Sequence, residues 1–325
     1  MDMARVCSIG ELLIDFTPAG KSGTGNVLFE RNPGGGPANV AVAVSMLGVE
    51  SAFLGKVGKD MFGLFLRDVL SNRKVDVSGL VFSENVNTTL AFVHLDDRGD
   101  RSFSFYRNPG ADMMYESCEI AYGLIDTCDI LHFSSVSLTH EPSRTAVKEA
   151  VAYGKKKKKI ISYDPNLRKM LWDDEKTARK EIAGMLPYAD ILKVSDEELL
   201  FLTGEKDVDK ATSLLYEGGN RLIFSTLGPR GCLYMHKNGS RRLKTYDTAI
   251  VDTTGSGDAY VGAVLFKILQ KGTDIGELTD DTLHDIADFA NAAGSVAATR
   301  KGAIPSMPTE EQVEDCRKNT GLYEA

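Results

Sequence analysis

Asp252-Thr253-Thr254-Gly255-Ser256-Gly257-Asp258 leads into the apolar stretch AYVGAVLFKIL. Glycines permit close approaches that a Cβ would block. With a helix beginning at about Asp258 or Ala259, its free N–H groups and positive dipole end make an anion site. Gly255, Ser256 and Gly257 can then aim backbone N–H groups at a phosphoryl group that gains charge in transfer. Asp258 stands beside them, where a carboxylate could take a proton from an attacking hydroxyl. A plain first-turn or capping role would put the same residue there.

A second glycine cluster, Asn32-Pro33-Gly34-Gly35-Gly36-Pro37-Ala38-Asn39, opens a small-residue helix over 40–47. Gly35 and Gly36 would let a polar ligand reach the backbone, and Asn39 offers both a donor and an acceptor to sugar hydroxyls. A tight strand-to-helix turn with Asn39 solvated reads the same residues more simply. Asp15 interrupts the apolar run LLIDF. A carboxylate there needs partners, either two adjacent hydroxyls of a polyol or a structural arginine or backbone N–H. Other motifs fail. Gly20-Lys21-Ser22 imitates the end of a phosphate loop, but the first glycine it requires falls at Asp15. The first strand ends without G-x-G-x-x-G, and no G-x-S-x-G elbow exists.

The elements that must hold these residues follow from hydrophobic period. Strand-like runs lie at 5–9, 52–57, 129–133, 160–163, 190–194 and 221–225. Helix-like segments separate them, with Phe62, Phe65, Leu66, Val69 and Leu70 on one face, and Val261, Val264, Leu265, Ile268 and Leu269 on another. Alternation of this kind, with nearly continuous apolar strands, predicts an α/β fold with a mostly parallel sheet covered by helices. One region breaks the rhythm. The runs 88–95 and 101–106 have no helix between them, and Asp96-Asp97-Arg98-Gly99-Asp100 supplies a turn. Phe103 and Phe105 alternate with polar neighbours, so this hairpin has one apolar face and is either a flap over a site or an ordinary edge hairpin. There is no internal repeat or linker, so one domain is expected across 1–325.

Composition narrows the function. The 325 residues carry 38 basic and 46 acidic side chains, a formal charge of −8, so no broad nucleic-acid footprint is expected. Lys155 to Lys159 reads as a solvated helix end rather than an anion patch. No apolar run is long enough to span a membrane, and the start, MDMARVCSIG, is unlike a secretory signal. Cys7, Cys118, Cys128, Cys232 and Cys316 form no CxxC pair and suit reduced thiols in a cytoplasmic protein. The five histidines lack triad or metal spacing, and His132, in ILHFSS, reads as core or pocket lining.

Taken together these segments resemble the ribokinase-like (pfkB-type) carbohydrate kinase family. The amino-terminal signature matches from Gly35 through Asn39 and from Gly48 to Gly58, and the carboxy-terminal one from Asp252 through Asp258 to Leu265. GELLIDF, PGGGPANVA, FYRNPGAD, SYDPNLR, LKVSDEELLFLTG and RKGAIP point to the fructokinase branch, although kinases for 2-keto-3-deoxygluconate and aminoimidazole riboside share parts of this set. The resemblance implies a three-layer α/β/α fold with a β lid built from about 11–32 and 86–110. It implies ATP-dependent transfer to the 6-hydroxyl of D-fructose. By motif, Asp258 is the base and Gly255 to Gly257 the anion hole. Asp15, Gly35, Gly36, Asn39 and Arg168 hold the sugar, with Tyr106 and Arg107 reaching it from the lid. Thr226, Gly228 and Gly231 contact the nucleotide, Asn291 lies near the adenine and Asn166 near the phosphates; without the family, Thr226 to Gly231 is a tight turn between strands. The family's N-x-x-E motif appears as Ser195-Asp196-Glu197-Glu198, a departure at the first position, with Glu198 meeting Mg²⁺ through water. Asp252, Thr254, Ala297, Arg300, Gly302 and Ser306 align with a K⁺ site of mainly carbonyl ligands. The family also implies a homodimer paired through lid strands. Rival readings are a sibling kinase for ketodeoxygluconate, a nucleoside or aminoimidazole riboside, an inactive sugar- or nucleotide-binding relative, and a NAD-dependent oxidoreductase, against which the missing fingerprint weighs.

Overall fold

The computed structural model describes residues 5–95, 101–219, 221–272 and 274–324, without the side chains at 94, 95 and 101–103. The expected turn at 96–100 and the Phe103 side chain lie outside the described residues. The first half holds β1 (Val6–Ile9), β2 (Leu13–Lys21), β3 (Val27–Gly34), α1 (Gly36–Met46), β4 (Ser51–Gly58), α2 (Met61–Asn72), β5 (Val75–Ser83), β6 (Leu90–Leu95), β7 (Arg101–Tyr106), α3 (Tyr122–Thr127), β8 (Ile130–Ser134), α4 (Ser143–Lys156) and β9 (Ile160–Asp164). The second half holds α5 (Glu175–Met185), β10 (Ile191–Ser195), α6 (Asp196–Thr203), α7 (Val208–Glu217), β11 (Leu222–Thr226), β12 (Cys232–His236), β13 (Gly239–Leu243), α8 (Ser256–Lys271), α9 (Asp280–Ala297) and α10 (Glu310–Asn319).

Nine strands form the large sheet in the order β13-β12-β11-β10-β9-β8-β1-β4-β5. Every pair from β11 to β5 is parallel, and β12 and β13 return antiparallel at one edge. The strands expected from apolar runs are all present. Parallel strands buried on both faces need such runs, and β1, β4 and β8 are buried along their whole length. Helices cover both faces. One core layer joins Val6, Ile130, Ile191 and Phe224 to α1, α8 and α9. The other joins Cys7, Leu131, Tyr163 and Leu192 to α4 to α7. The architecture is therefore three layers, α/β/α.

A second sheet of four strands, β3-β2-β6-β7, stands apart from the first. Phe16 on β2 stacks on Phe92 of β6 (4.7 Å) and meets Phe62 of α2 edge-on, 5.8 Å away. Arg31 of β3 lies over the Phe65 ring, 3.6 Å from its centre. These contacts root the small sheet on α2, whose start is capped by Asp60 accepting from the Phe62 and Gly63 amides.

Two helix starts differ from expectation. α1 begins at Gly36 rather than Val40, because Pro37 is tolerated in a first turn. α8 begins at Ser256, its N-cap being Gly255 in the left-handed region (φ 80°). The basic run closes α4 as expected, with Lys155 paired to Asp190 and Lys157 to Asp126, each at 2.9 Å. His132 is core: its Nδ1 lies 3.0 Å from Ser162 Oγ, and burial pushes its pKa down to about 3. The five cysteines are free thiols, and only Cys118 is exposed. Among the described residues no helix is long and apolar enough to cross a membrane.

Candidate active site

The site forms where the carboxyl ends of the parallel strands meet the start of α8. A Cβ on Gly255 would stand 2.8 Å from Ala303 Cα, so glycine is required there by space as well as by φ. With Ser256 opening the helix, Asp258 falls on the third helical position. The Ser256 amide donates to the Thr253 carbonyl (3.1 Å) and is not available to a ligand, which corrects its expected place in the anion hole. Among the described residues the amides of Gly257 and Asp258 have no acceptor; they are first-turn donors with no earlier turn to bond.

Asp258 accepts a hydrogen bond from Asn39 Nδ2 at 2.8 Å, across 219 positions of sequence. Asn39 is therefore not solvated; it is 5% exposed, and its Oδ1 is buried without a partner. Burial pushes the Asp258 pKa up to about 7, reinforced by the Asp164 charge and opposed by Asn39, Lys193 and Arg168. A carboxyl poised near neutrality suits a general base.

Asp15 lies near the start of β2, between Asn32 of β3 and Ala91 of β6. Its carboxyl is partly buried and accepts no hydrogen bond among the described residues. Burial raises its pKa to about 6, with the field of Arg168 opposing. Among the described residues the structural pairing that the sequence left open is absent, and the carboxyl packs against Gly34, where an added Cβ would meet Asp15 Oδ2. Arg168 is exposed, and its field reaches both Asp15 and Asp258. Gly36 gives its amide to Glu11 (2.9 Å), and a Cβ on it would meet Asn166 Nδ2 at 2.5 Å. Gly35, at φ 119°, packs on the Glu11 backbone. The side-chain amide of Asn166, the residue expected near the phosphates, lies against Gly36.

Arg107 also departs from expectation. It lies past the end of β7 and turns inward, its side chain 3% exposed, with Asp112 at 2.8 Å, Thr139 Oγ1 at 3.0 Å and the Val136 carbonyl at 3.3 Å. A buried cation needs such partners. Tyr106 remains on the small sheet, 68% exposed, 5.5 Å from Phe92.

On the other flank, Ser195 and Thr226 are register partners at the ends of β10 and β11. Ser195 and Glu198 form a reciprocal capping box: Ser195 Oγ accepts from the Glu198 amide (3.2 Å), and Glu198 Oε2 from the Ser195 amide (2.8 Å). Gly228 and Gly231 both have positive φ in the turn from β11 to β12. Asn291 is buried in α9 and donates to the Lys244 carbonyl (3.0 Å). The expected cation loop is drawn together: Asp252 accepts from Thr254 (3.0 Å) and from the Gly302 amide (3.0 Å), while its own amide bonds the Ala298 carbonyl. Ala297 and Arg300 lie in the adjoining turn, where the Arg300 N–H donates to the Ala297 carbonyl (3.3 Å), and Ser306 closes a short helical turn onto Ala303. That 302–306 segment touches both halves of the site. Ala303 abuts Gly255, and a Cβ on Gly302 would lie 3.3 Å from Asn32 Oδ1 of β3.

Three charged residues at the site were not singled out from sequence. Glu11 is buried, bonded to the Gly36 amide and to Ser134 and Ser137. Asp164 ends β9, and Lys193 on β10 bonds both of its oxygens at 3.1 and 3.2 Å. The argument applied to Asp15 would have found Lys193, a charge inside the apolar strand ILKVS.

A protein-family model described as pfkB family carbohydrate kinase matches residues 3–310. Fructokinase-1 of Oryza sativa subsp. japonica is 45% identical over 312 residues, covering 95% of this chain and 96% of that one. The crystal structure of an ATP-bound fructokinase from Xylella fastidiosa superposes with a TM-score of 0.90 at 31% identity, covering 97% and 99% of the two chains. That of a double mutant of fructokinase from Vibrio cholerae O395, bound to fructose, ADP and potassium ion, gives 0.86 at 32% identity, with 97% and 98% covered.

Proposed function

Since the chain belongs to the pfkB family of carbohydrate kinases, we propose that it transfers the ATP γ-phosphoryl group to the 6-hydroxyl of D-fructose, giving fructose 6-phosphate. One observation carries the reading. Asp15 and Asp258, 243 positions apart, are both raised by burial and both feel the opposing charge of Arg168. The full-length likeness to fructokinases supports the acceptor.

In this reading Asp15, Asn39 and the Gly35–Gly36 backbone hold sugar hydroxyls, with Arg168 and Tyr106 above them and Asn166 beside Gly36. The 6-hydroxyl gives its proton to Asp258 as its oxygen bonds phosphorus and the bond to ADP breaks. The Gly255, Gly257 and Asp258 amides hold the charge that gathers on the phosphoryl oxygens. Ser195, Thr226, Gly228, Gly231 and Asn291 bind the nucleotide. The small sheet acts as a lid that keeps water from the donor.

Both carboxyl oxygens of Glu198 already accept amides, from Ser195 and Leu167. Occupied oxygens fit contact with an ion through water, so Glu198 would hold Mg²⁺ in that way; the ion, bound, neutralises phosphate charge. The tethered 252–254 and 297–302 loops fit a carbonyl-lined K⁺ site, which would fix the backbone leading into Gly255. The setting is the cytoplasm. The assembly is a homodimer through β3, whose outer edge exposes Val27 and Leu28 by 53% and 46%. Replacing both by Lys should convert a dimer to a monomer in sedimentation, and an unchanged sedimentation coefficient would exclude this edge.

The test is a panel of acceptors with ATP: fructose, 2-keto-3-deoxygluconate, aminoimidazole riboside and a nucleoside, with product regiochemistry read by phosphorus NMR. Preference for another acceptor, or phosphate on another hydroxyl, would overturn the assignment. The pH profile gives an independent check. Carboxyls are protonated below their pKa, so kcat/KM for fructose should fall about tenfold per unit below pH about 7 as Asp258 is lost. It should steepen below about 6, where Asp15 follows. A profile flat down to pH about 5 would contradict both roles.

A further inference from the structure

A dianionic phosphoryl group at the start of α8 meets carboxylates. Asp258 lies in the first turn of that helix, the charge of Asp164 acts on it, and the charge of Glu198 acts on Asp164. Two cations act on the Asp258 carboxyl, Lys193 and Arg168. Arg168 is exposed on the sugar side. Lys193 is largely buried, its side chain 12% exposed, with apolar Leu192 and Val194 on either side in β10. Its Nζ would be 3.3 Å from a Cβ placed on Gly257, so the ammonium rests against the backbone of the anion hole. An ammonium has three donors. Asp164 engages two at most, which leaves at least one N–H for another acceptor. Burial pulls the Lys193 pKa down, but Asp164 and Glu198 raise it by more, so the group stays charged.

We infer that Lys193 is a catalytic residue of the phosphoryl transfer, its ammonium hydrogen-bonding an oxygen of the γ-phosphoryl group as that group passes from ATP to the sugar. This rests on the kinase reading given above. Lys193 gives up no proton: the hydroxyl proton goes to Asp258, the new bond joins sugar oxygen to phosphorus, and the electron pair of the broken bond leaves on ADP. The amides of α8 and the lysine then share the charge from two directions, and Asp164 orients the ammonium between turnovers.

The alternative is that Lys193 only neutralises a buried Asp164. Three measurements separate the two. Wild-type turnover of fructose with MgATP is measured first; its absence removes the kinase reading itself, and its presence leaves only the inference at stake. Lys193→Met should then lower kcat about 10²–10³-fold, the loss usual for one donor to a transition-state oxyanion, with KM for fructose changed by less than about threefold. A kcat within about threefold of wild type would overturn the inference. Because a stranded Asp164 could keep that variant from folding, the wild-type enzyme is also crystallised with fructose, ADP and aluminium fluoride. Lys193 Nζ within hydrogen-bond distance of a fluoride supports the assignment, and Nζ left on Asp164 beyond about 4 Å from every fluoride refutes it.

Discussion

Asp258→Asn should lower kcat at least ~10²-fold, the usual scale for removing a general base, and leave KM for fructose nearly unchanged. The substitution keeps size and shape. Asn39 Nδ2 can still donate to the oxygen at that position, as it does now at 2.8 Å, so the first turn of α8 keeps its tie to α1. Only the ability to accept the hydroxyl proton is lost. The acid limb of the pH profile near 7 should vanish with it, because burial and Asp164 raise that group in the wild type. Near-normal turnover in the variant, or a limb near pH 7 that stays, would assign the base elsewhere; the Asp15 limb below about 6 should remain.

Asp15→Ala should act on binding instead. A carboxylate holding two hydroxyls makes two charge-assisted hydrogen bonds, each worth roughly 1.5–2 kcal/mol at the lower end of the usual range. At about 1.4 kcal/mol per factor of ten, KM for fructose rises about 10²–10³-fold while kcat at saturation changes little. Stability gives a second readout. A carboxyl whose folded pKa is raised weakens the fold above its unfolded pKa, because it must be ionised at a cost in the native state. Asp15, raised to about 6 by burial, is such a group, so the alanine variant should melt no lower than wild type at pH about 7.5. A structural Asp15 gives the opposite pattern, a lower melting temperature with an unchanged KM.

Much of this site was legible in sequence because its parts are local. The proposed anion hole is a run of small residues before an apolar helix, so the helix start and the acid in its first turn could be read directly. The start of α8 was placed two residues late because Gly257 reads as loop, yet the first turn tolerates glycine when a left-handed Gly255 precedes it. The buried parallel strands announced themselves by unbroken apolar runs. β5 did not, since Asp76 and Ser78 interrupt it, and β12 and β13 are short edge strands. What could not be read was pairing at a distance. Asp164 and Lys193 are 29 positions apart, and only adjacent strand ends bring them together. Asn39 looked solvated until α8 came to lie against α1. Arg107 looked like a ligand for the sugar because its motif suggests it, but its near neighbour Asp112 takes it first.

The segment at 302–306 borders both the small sheet and the start of α8. A Cβ on Gly302 would come within 3.3 Å of Asn32 Oδ1, and one on Gly255 within 2.8 Å of Ala303 Cα. Added bulk at either glycine would therefore press on the same short stretch of chain, from the β3 side in one case and from the helix side in the other.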